Sequence, residues 1–211
     1  GFFFLAALPS TISSSVAMTV LAKGNVPVAV FNATLSGLLG LVLTPLMISL
    51  ITATGSVQFS LVDAIINIAL TLLAPFVVGQ ILRPLIKSFL ASNKAVISWI
   101  DRSGILLIVF TSFATSTAGG IWSGFTPFEL FVTLALVLIL LALAFGFTIL
   151  TSRRLSLSRE DEVAAVFCGS TKSLANGAPI AQILFAGSPL LGVILLPLML
   201  YHQLQLVGCA V

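Results

Sequence analysis

A chain of 211 residues that is 59% hydrophobic and 7% charged cannot cover its surface with polar groups in water, where about 25% charged residues is usual. With a mean hydropathy of +1.23, the composition excludes a soluble globular domain and describes a multi-pass protein of the lipid bilayer. The net charge of +3 is scattered over short connections, so no basic face for nucleic acid is formed.

Seven apolar segments follow in chain order, at about 1–22, 26–52, 60–86, 97–118, 128–150, 161–186 and 188–209; a straight span needs about 20 residues. The first is interrupted by Pro9-Ser10-Thr11-Ile12-Ser13-Ser14-Ser15. Lys23-Gly24-Asn25 separates it from the second, and Thr54-Gly55-Ser56 the second from the third. Ser92-Asn93-Lys94 precedes the fourth, Gly119-Gly120 the fifth and Ser152-Arg153-Arg154 the sixth. The sixth is interrupted in turn by Cys168-Gly169-Ser170-Thr171-Lys172-Ser173, and Gly187-Ser188-Pro189 leads into the last. Pro45, Pro75 and Pro197 fall inside segments and predict kinks. Trp99 and Trp122 read as anchors at opposite interfaces. Cys168 and Cys209 lie in apolar runs and read as packed thiols.

Charge sets an orientation. Lys23, then Arg83, Lys87, Lys94 and Arg102, then Arg153, Arg154 and Arg159 lie about the odd connections, and the even ones contain no Lys or Arg. Positive loops stay in the cytoplasm, which predicts a cytoplasmic C-terminus in a bacterial inner or plasma membrane. Glu160-Asp161-Glu162 after Ser158 reads as a capped, solvated helix entrance. Asp63 and Glu129 read as charges at outer helix starts.

The two interruptions lie in the first and sixth segments, five spans apart, and so cross in opposite directions. This is the pattern of an inverted repeat whose broken helices meet at a site near the midplane. Breaks near 9–14 and 169–173 that touch in space are predicted. Residues 1–52 would end the first repeat and 60–211 form the second, giving ten helices in all, with three before Gly1. Lipid tolerates non-helical backbone at that depth only where it is buried in protein or lines a polar cavity. The hydroxyl groups of Ser13, Ser14, Ser15, Ser170, Thr171 and Ser173, and the amides of Asn32 and Asn176, are therefore candidate ligands for a solute or ion, as is Thr34. Lys172 is the sharpest candidate. It lies about ten residues into its segment, where a lysine costs about 2.5–3.5 kcal/mol to insert and faces the interior as a rule. His202 and Gln203 in the last segment read as structural groups, with His202 at a different depth from the serines.

The run P-S-T-I-S-S-S-V-A-M-T-V-L-A-K-G-N-V-P resembles the fourth-helix motif of the bile acid:sodium symporter superfamily, and C-G-S-T-K-S-L-A-N-G-A-P-I-A occupies the place of that family's ninth-helix break. The resemblance covers the whole chain in order and is nearest to the SBF-like branch. It implies an all-helical ten-span transporter with a core and a panel domain and two broken crossing helices. Sodium-coupled members have a Glu and a Gln-Asn pair around the ninth-helix break; here no acidic residue follows Glu162. The family's fourth-helix Ser-Asn pair maps to Ser14-Ser15, and its fifth-helix hydroxyls map to Ala29 and Ala33. These departures speak against the sodium sites, and no other cofactor or metal is expected. The function implied is alternating-access transport of a small organic anion, sodium-independent if Lys172 replaces a sodium site. A non-transporting membrane regulator with the same fold is the alternative. No HExxH, GxSxG or intramembrane aspartate pair suggests an enzyme.

Overall fold

The computed structural model describes residues 1–52, 66–67 and 69–210, and these are mostly helical, with extended backbone at 8–11 and 171–173. The helices are α1 (Phe2–Ala7), α2 (Ile12–Leu21), α3 (Val26–Thr52), α4 (Ala74–Ser92), α5 (Lys94–Ala118), α6 (Pro127–Arg154), α7 (Arg159–Ser170), α8 (Leu174–Leu184) and α9 (Leu191–Ala210). A π-helical turn, Ala69–Leu73, leads into α4, and a short 3₁₀ turn, Ile121–Gly124, precedes α6.

Among the described residues, five helices are long and apolar enough to cross a membrane: Val26–Leu50, Ala74–Ser92, Lys94–Ala118, Pro127–Arg154 and Leu191–Cys209. The expected count was seven. The first and sixth segments are each divided into half-helices, of 6 and 10 residues for α1 and α2 and of 12 and 11 for α7 and α8. At 1.5 Å per residue none of these halves crosses a core of about 30 Å alone.

The third segment also differs. It was expected over 60–86, but α4 runs on to Ser92, and α5 starts at Lys94 after the single residue Asn93. Arg83 and Lys87 are both on α4. Pro75 is the second residue of α4, which directly follows the π turn. Pro45 and Pro197 are inside α3 and α9. Asp63 and the Thr54-Gly55-Ser56 turn lie outside the described residues.

The helix starts follow their sequence signals. Thr126 and Glu129 form a reciprocal capping box at the start of α6, and Ser158 accepts a hydrogen bond from the Asp161 amide at the start of α7. Trp122 stacks on Phe113, with ring centroids 5.3 Å apart.

The core lies where the four half-helices meet α3, α6 and α9. α9 packs against α1, α5, α6 and α8, while α7 packs against α2, α3 and α6. Leu5, Val137, Ile180, Leu195, Leu198 and Tyr201 fill the centre, and Phe4 meets Phe185 edge to face at 5.8 Å. Two glycines permit close approach at the first break. A Cβ on Gly40 would lie 2.5 Å from the Pro9 ring, and one on Gly177 would lie 2.6 Å from Leu198 and 2.7 Å from Leu8.

Candidate functional site

The first break has a local cause. Proline has no N–H and pushes the residue before it into extended backbone, and Leu8 has φ −77°, ψ 147°. The chain stays extended to Thr11, at φ −89°, ψ 136°, before α2 begins. In the second break Thr171 (φ −89°, ψ 149°) and Ser173 (φ −87°, ψ 109°) are extended on either side of Lys172. Residues 8–11 and 171–173 are in direct contact: the Ser173 amide donates to the Pro9 carbonyl at 3.0 Å.

A buried hydroxyl cluster joins the two breaks. Thr171 Oγ1 is 2.7 Å from Ser15 Oγ and 3.1 Å from Ser10 Oγ, and the two serine oxygens are 3.3 Å apart. Thr171 donates to the Phe167 carbonyl at 2.8 Å, leaving the Ser15 proton for Thr171, and that carbonyl is also 3.3 Å from Ser15 Oγ. The Ser10 amide donates to Ser36 Oγ of α3 at 3.0 Å. These groups pair with one another and with backbone released by the breaks, so there is no orphan among those just named.

Lys172 lies beside this cluster and reaches the end of α1. Its Nζ donates to the carbonyls of Ala6 at 2.9 Å and Leu8 at 2.8 Å. The last carbonyls of a helix have no partner within it and form its negative end. A cation there is stabilised by charge-assisted hydrogen bonds, each about twice as strong as a neutral one.

The remaining predicted residues divide. Ser173 caps α8 by accepting from the Asn176 amide at 3.1 Å. Ser170 Oγ turns back to the Val166 carbonyl of its own helix. Ser14 Oγ is buried and has no hydrogen-bond partner among the described residues, whereas Ser13 is exposed. Thr34 and Asn176 line one cavity of about 240 Å³ with Ile12, Leu38, Leu41 and Phe76. Asn32 lines a different groove, beside Pro9 and Ser36. The cluster, the lysine and the cavity are thus neighbouring features rather than one ring of ligands. Ala29 and Ala33, the positions of the family's fifth-helix hydroxyls, are fully buried, and the Ala29 carbonyl accepts from Cys168 Sγ at 3.5 Å.

α9 contributes groups that the sequence reading passed over. Tyr201 donates its phenol to the Ser170 carbonyl at 2.5 Å. Gln205 Oε1 accepts from the Lys172 amide at 2.7 Å, and Gln205 Nε2 donates to the Lys172 carbonyl at 2.9 Å. Gln203, two residues earlier, is exposed. The available signal was a second amide in an apolar span, since such a group needs a partner. His202 was placed at a different depth from the serines, yet its Nδ1 is 3.3 Å from the Lys172 carbonyl and 2.9 Å from Gln205 Nε2. It is at the level of the second break, turned to Gln205 and not to a serine.

Comparison with known proteins follows the same lines. The chain is 46% identical over 211 residues to a protein of Pseudomonas aeruginosa that is named as uncharacterised. It is 42% identical over 211 residues to Escherichia coli YfeH, provisionally named a symporter. Both alignments cover 100% of the chain and 63% of the relative. Sodium/bile acid cotransporter 7 of Xenopus tropicalis is 33% identical over 203 residues, covering 94% of the chain and 58% of that protein. The chain thus spans less than two thirds of the length of these relatives. The model of the SBF-like CPA transporter family matches residues 1–211. Matched along its whole length, and with paired broken helices of the kind that the resemblance implied, the chain belongs to the SBF-like CPA transporter family.

Proposed function

We propose that this chain forms the core of a secondary transporter that moves a small organic anion by alternating access. In this reading Lys172 takes the place of a bound cation, so that transport depends little on sodium. The observation that carries it is the Lys172 ammonium held between the Ala6 and Leu8 carbonyls at 2.9 and 2.8 Å. A half-helix end with freed carbonyls is where broken-helix transporters coordinate a coupling cation. Here the protein's own side chain fills that position.

The names of the relatives support transport as the activity. The lysine charge favours an anion. The cavity beside Thr34 and Asn176, apolar apart from an amide and a hydroxyl, suits the organic part of the solute. The two breaks meet in one hydrogen-bonded unit, which suits a fixed site about which the remaining helices rearrange. The charge pattern of the connections supports a cytoplasmic C-terminus.

Uptake into proteoliposomes tests this reading, using radiolabelled bile acids and simpler carboxylates with and without an inward sodium gradient. Wild-type uptake is expected to change by less than about twofold when potassium replaces sodium. Lys172→Ala is expected to lose at least about tenfold, since a hydrogen bond to a charged group contributes about 1.5–3 kcal/mol. Lys172→Arg keeps the charge but not the compact ammonium and should be impaired. Strict sodium dependence together with normal uptake by Lys172→Ala would overturn the proposal.

A further inference from the structure

The two breaks are held open by different means. Pro9 ends α1 by its own covalent structure. The second break, Thr171-Lys172-Ser173, contains neither proline nor glycine. Lysine is a good helix former, and threonine and serine are only moderately poorer ones. Ser173 is extended as the cap of α8, but neither residue type at Thr171-Lys172 stops α7 from continuing through them, so the departure from helix at these two residues must be imposed from outside.

α9 imposes it. Gln205, fully buried, accepts from the Lys172 N–H at 2.7 Å and donates to the Lys172 C=O at 2.9 Å. One amide side chain thus pairs both backbone polar groups of a single residue, as a neighbouring strand would. Its orientation is unambiguous, because a backbone N–H can only donate and so must face Oε1. The opposite nitrogen is then also 2.9 Å from His202 Nδ1, which makes that ring nitrogen the acceptor and places the imidazole proton on Nε2. Tyr201 holds the Ser170 carbonyl one turn away, but it does not touch Lys172's backbone.

We infer that Gln205 is the positioning residue for Lys172: its double grip on the Lys172 backbone fixes the extended turn that delivers the ammonium to the Ala6 and Leu8 carbonyls. Without that grip α7 is free to extend helically through residue 172. Each added helical residue rotates the side-chain direction by about 100°, which carries Nζ away from α1. The consequence for transport rests on the reading of Lys172 as a built-in cation; the grip itself does not.

The test is reductive methylation of lysines in the intact protein, reconstituted in lipid nanodiscs and read by peptide mass spectrometry. Lys23, which is exposed, serves as the internal reference. Gln205→Met has nearly the same shape and lacks both hydrogen bonds. It should raise the relative labelling rate of Lys172 at least about fivefold, the equivalent of about 1 kcal/mol of lost protection. Gln205→Asn keeps the amide but is one methylene too short to reach both groups, and it should raise labelling too, which covers the case in which the methionine variant does not fold. Tyr201→Phe removes a bond from the same helix to the same break and should leave Lys172 labelling within about twofold of wild type. Unchanged labelling in the Gln205 variants would overturn the inference, as would an equal rise in Tyr201→Phe, which would mean general loosening. Because labelling needs no solute, it separates failure of the Gln205 grip from failure of the transport reading.

Discussion

At the scale of single residues, the junction depends on Thr171 as much as on Lys172. Its hydroxyl is shared with Ser15 at 2.7 Å, Ser10 at 3.1 Å and the Phe167 carbonyl at 2.8 Å. Thr171→Val keeps the shape and leaves the buried Ser10 and Ser15 hydroxyls short of a partner. Such a loss costs about 1–3 kcal/mol, so a lower midpoint of thermal unfolding is expected. Thr171→Ser should recover most of it, and a Val variant as stable as wild type would show that the cluster contributes nothing. Residue identity also decided how much was legible beforehand. Pro9 is visible as a break because its cause is covalent. The serines and Lys172 were visible as polar groups in an apolar segment. The partner of Lys172 was not visible, because Gln205 is 33 residues away in sequence. Gln203 and Gln205 also lie on opposite faces of α9, about 200° apart by helical rotation. Only the packing of α9 decides which of the two is inward. The same packing places His202 beside the second break, where spacing along the chain gave no depth.

At the scale of elements, the half-helices are joined at a second place, away from the breaks. Asn25 accepts from the Val28 amide at 3.2 Å and so caps α3. Its side-chain amide donates to Asp161 at 2.8 Å, and its backbone amide donates to the Glu160 carbonyl at 2.9 Å. Asp161 is itself held by the Ser158 hydroxyl at 2.8 Å. This clasp ties the α2–α3 turn to the start of α7, so the two broken helices are joined both at their breaks and at one end. Asn25→Ala should cost about 1 kcal/mol, as the loss of a helix cap does. It should also speed amide hydrogen exchange at residues 24–26 and 28. Arg159→Ala, which removes an exposed pairing with Glu162 at 3.7 Å, should do neither, since exposed pairs contribute about 0–1 kcal/mol. Equal exchange in wild type and Asn25→Ala would refute the clasp. Glu160-Asp161-Glu162 has the composition of a solvated entrance, and Asp161 is more than that because the K-G-N turn folds back onto it. The α4 boundary was misjudged for a related reason. The apolar stretch ends near residue 86, whereas the helix runs on to Ser92 with Lys87 on it, since a helix can carry charges beyond its apolar stretch.

At the scale of the whole molecule, the central idea is that a cation place at the junction of two broken helices is filled by the protein itself. The family assignment rests on the full-length match of the chain. The departures noted in the sequence now have a geometric setting. Ala29 and Ala33 are fully buried, and the ammonium of Lys172 rests on the α1 carbonyls. If Lys172 acts in place of sodium, a sodium ion has no vacant strong site there and should not stabilise the protein. The direct measurement is the unfolding midpoint of the intact protein in sodium chloride and in choline chloride at equal ionic strength, for wild type and Lys172→Ala. A specifically bound sodium at 100 times its Kd would contribute about 2.7 kcal/mol, a rise of about 5 °C or more for a chain of this size. The account predicts wild-type midpoints within about 1 °C of each other in the two salts. A sodium-specific rise of about 5 °C in wild type that persists in Lys172→Ala would contradict it.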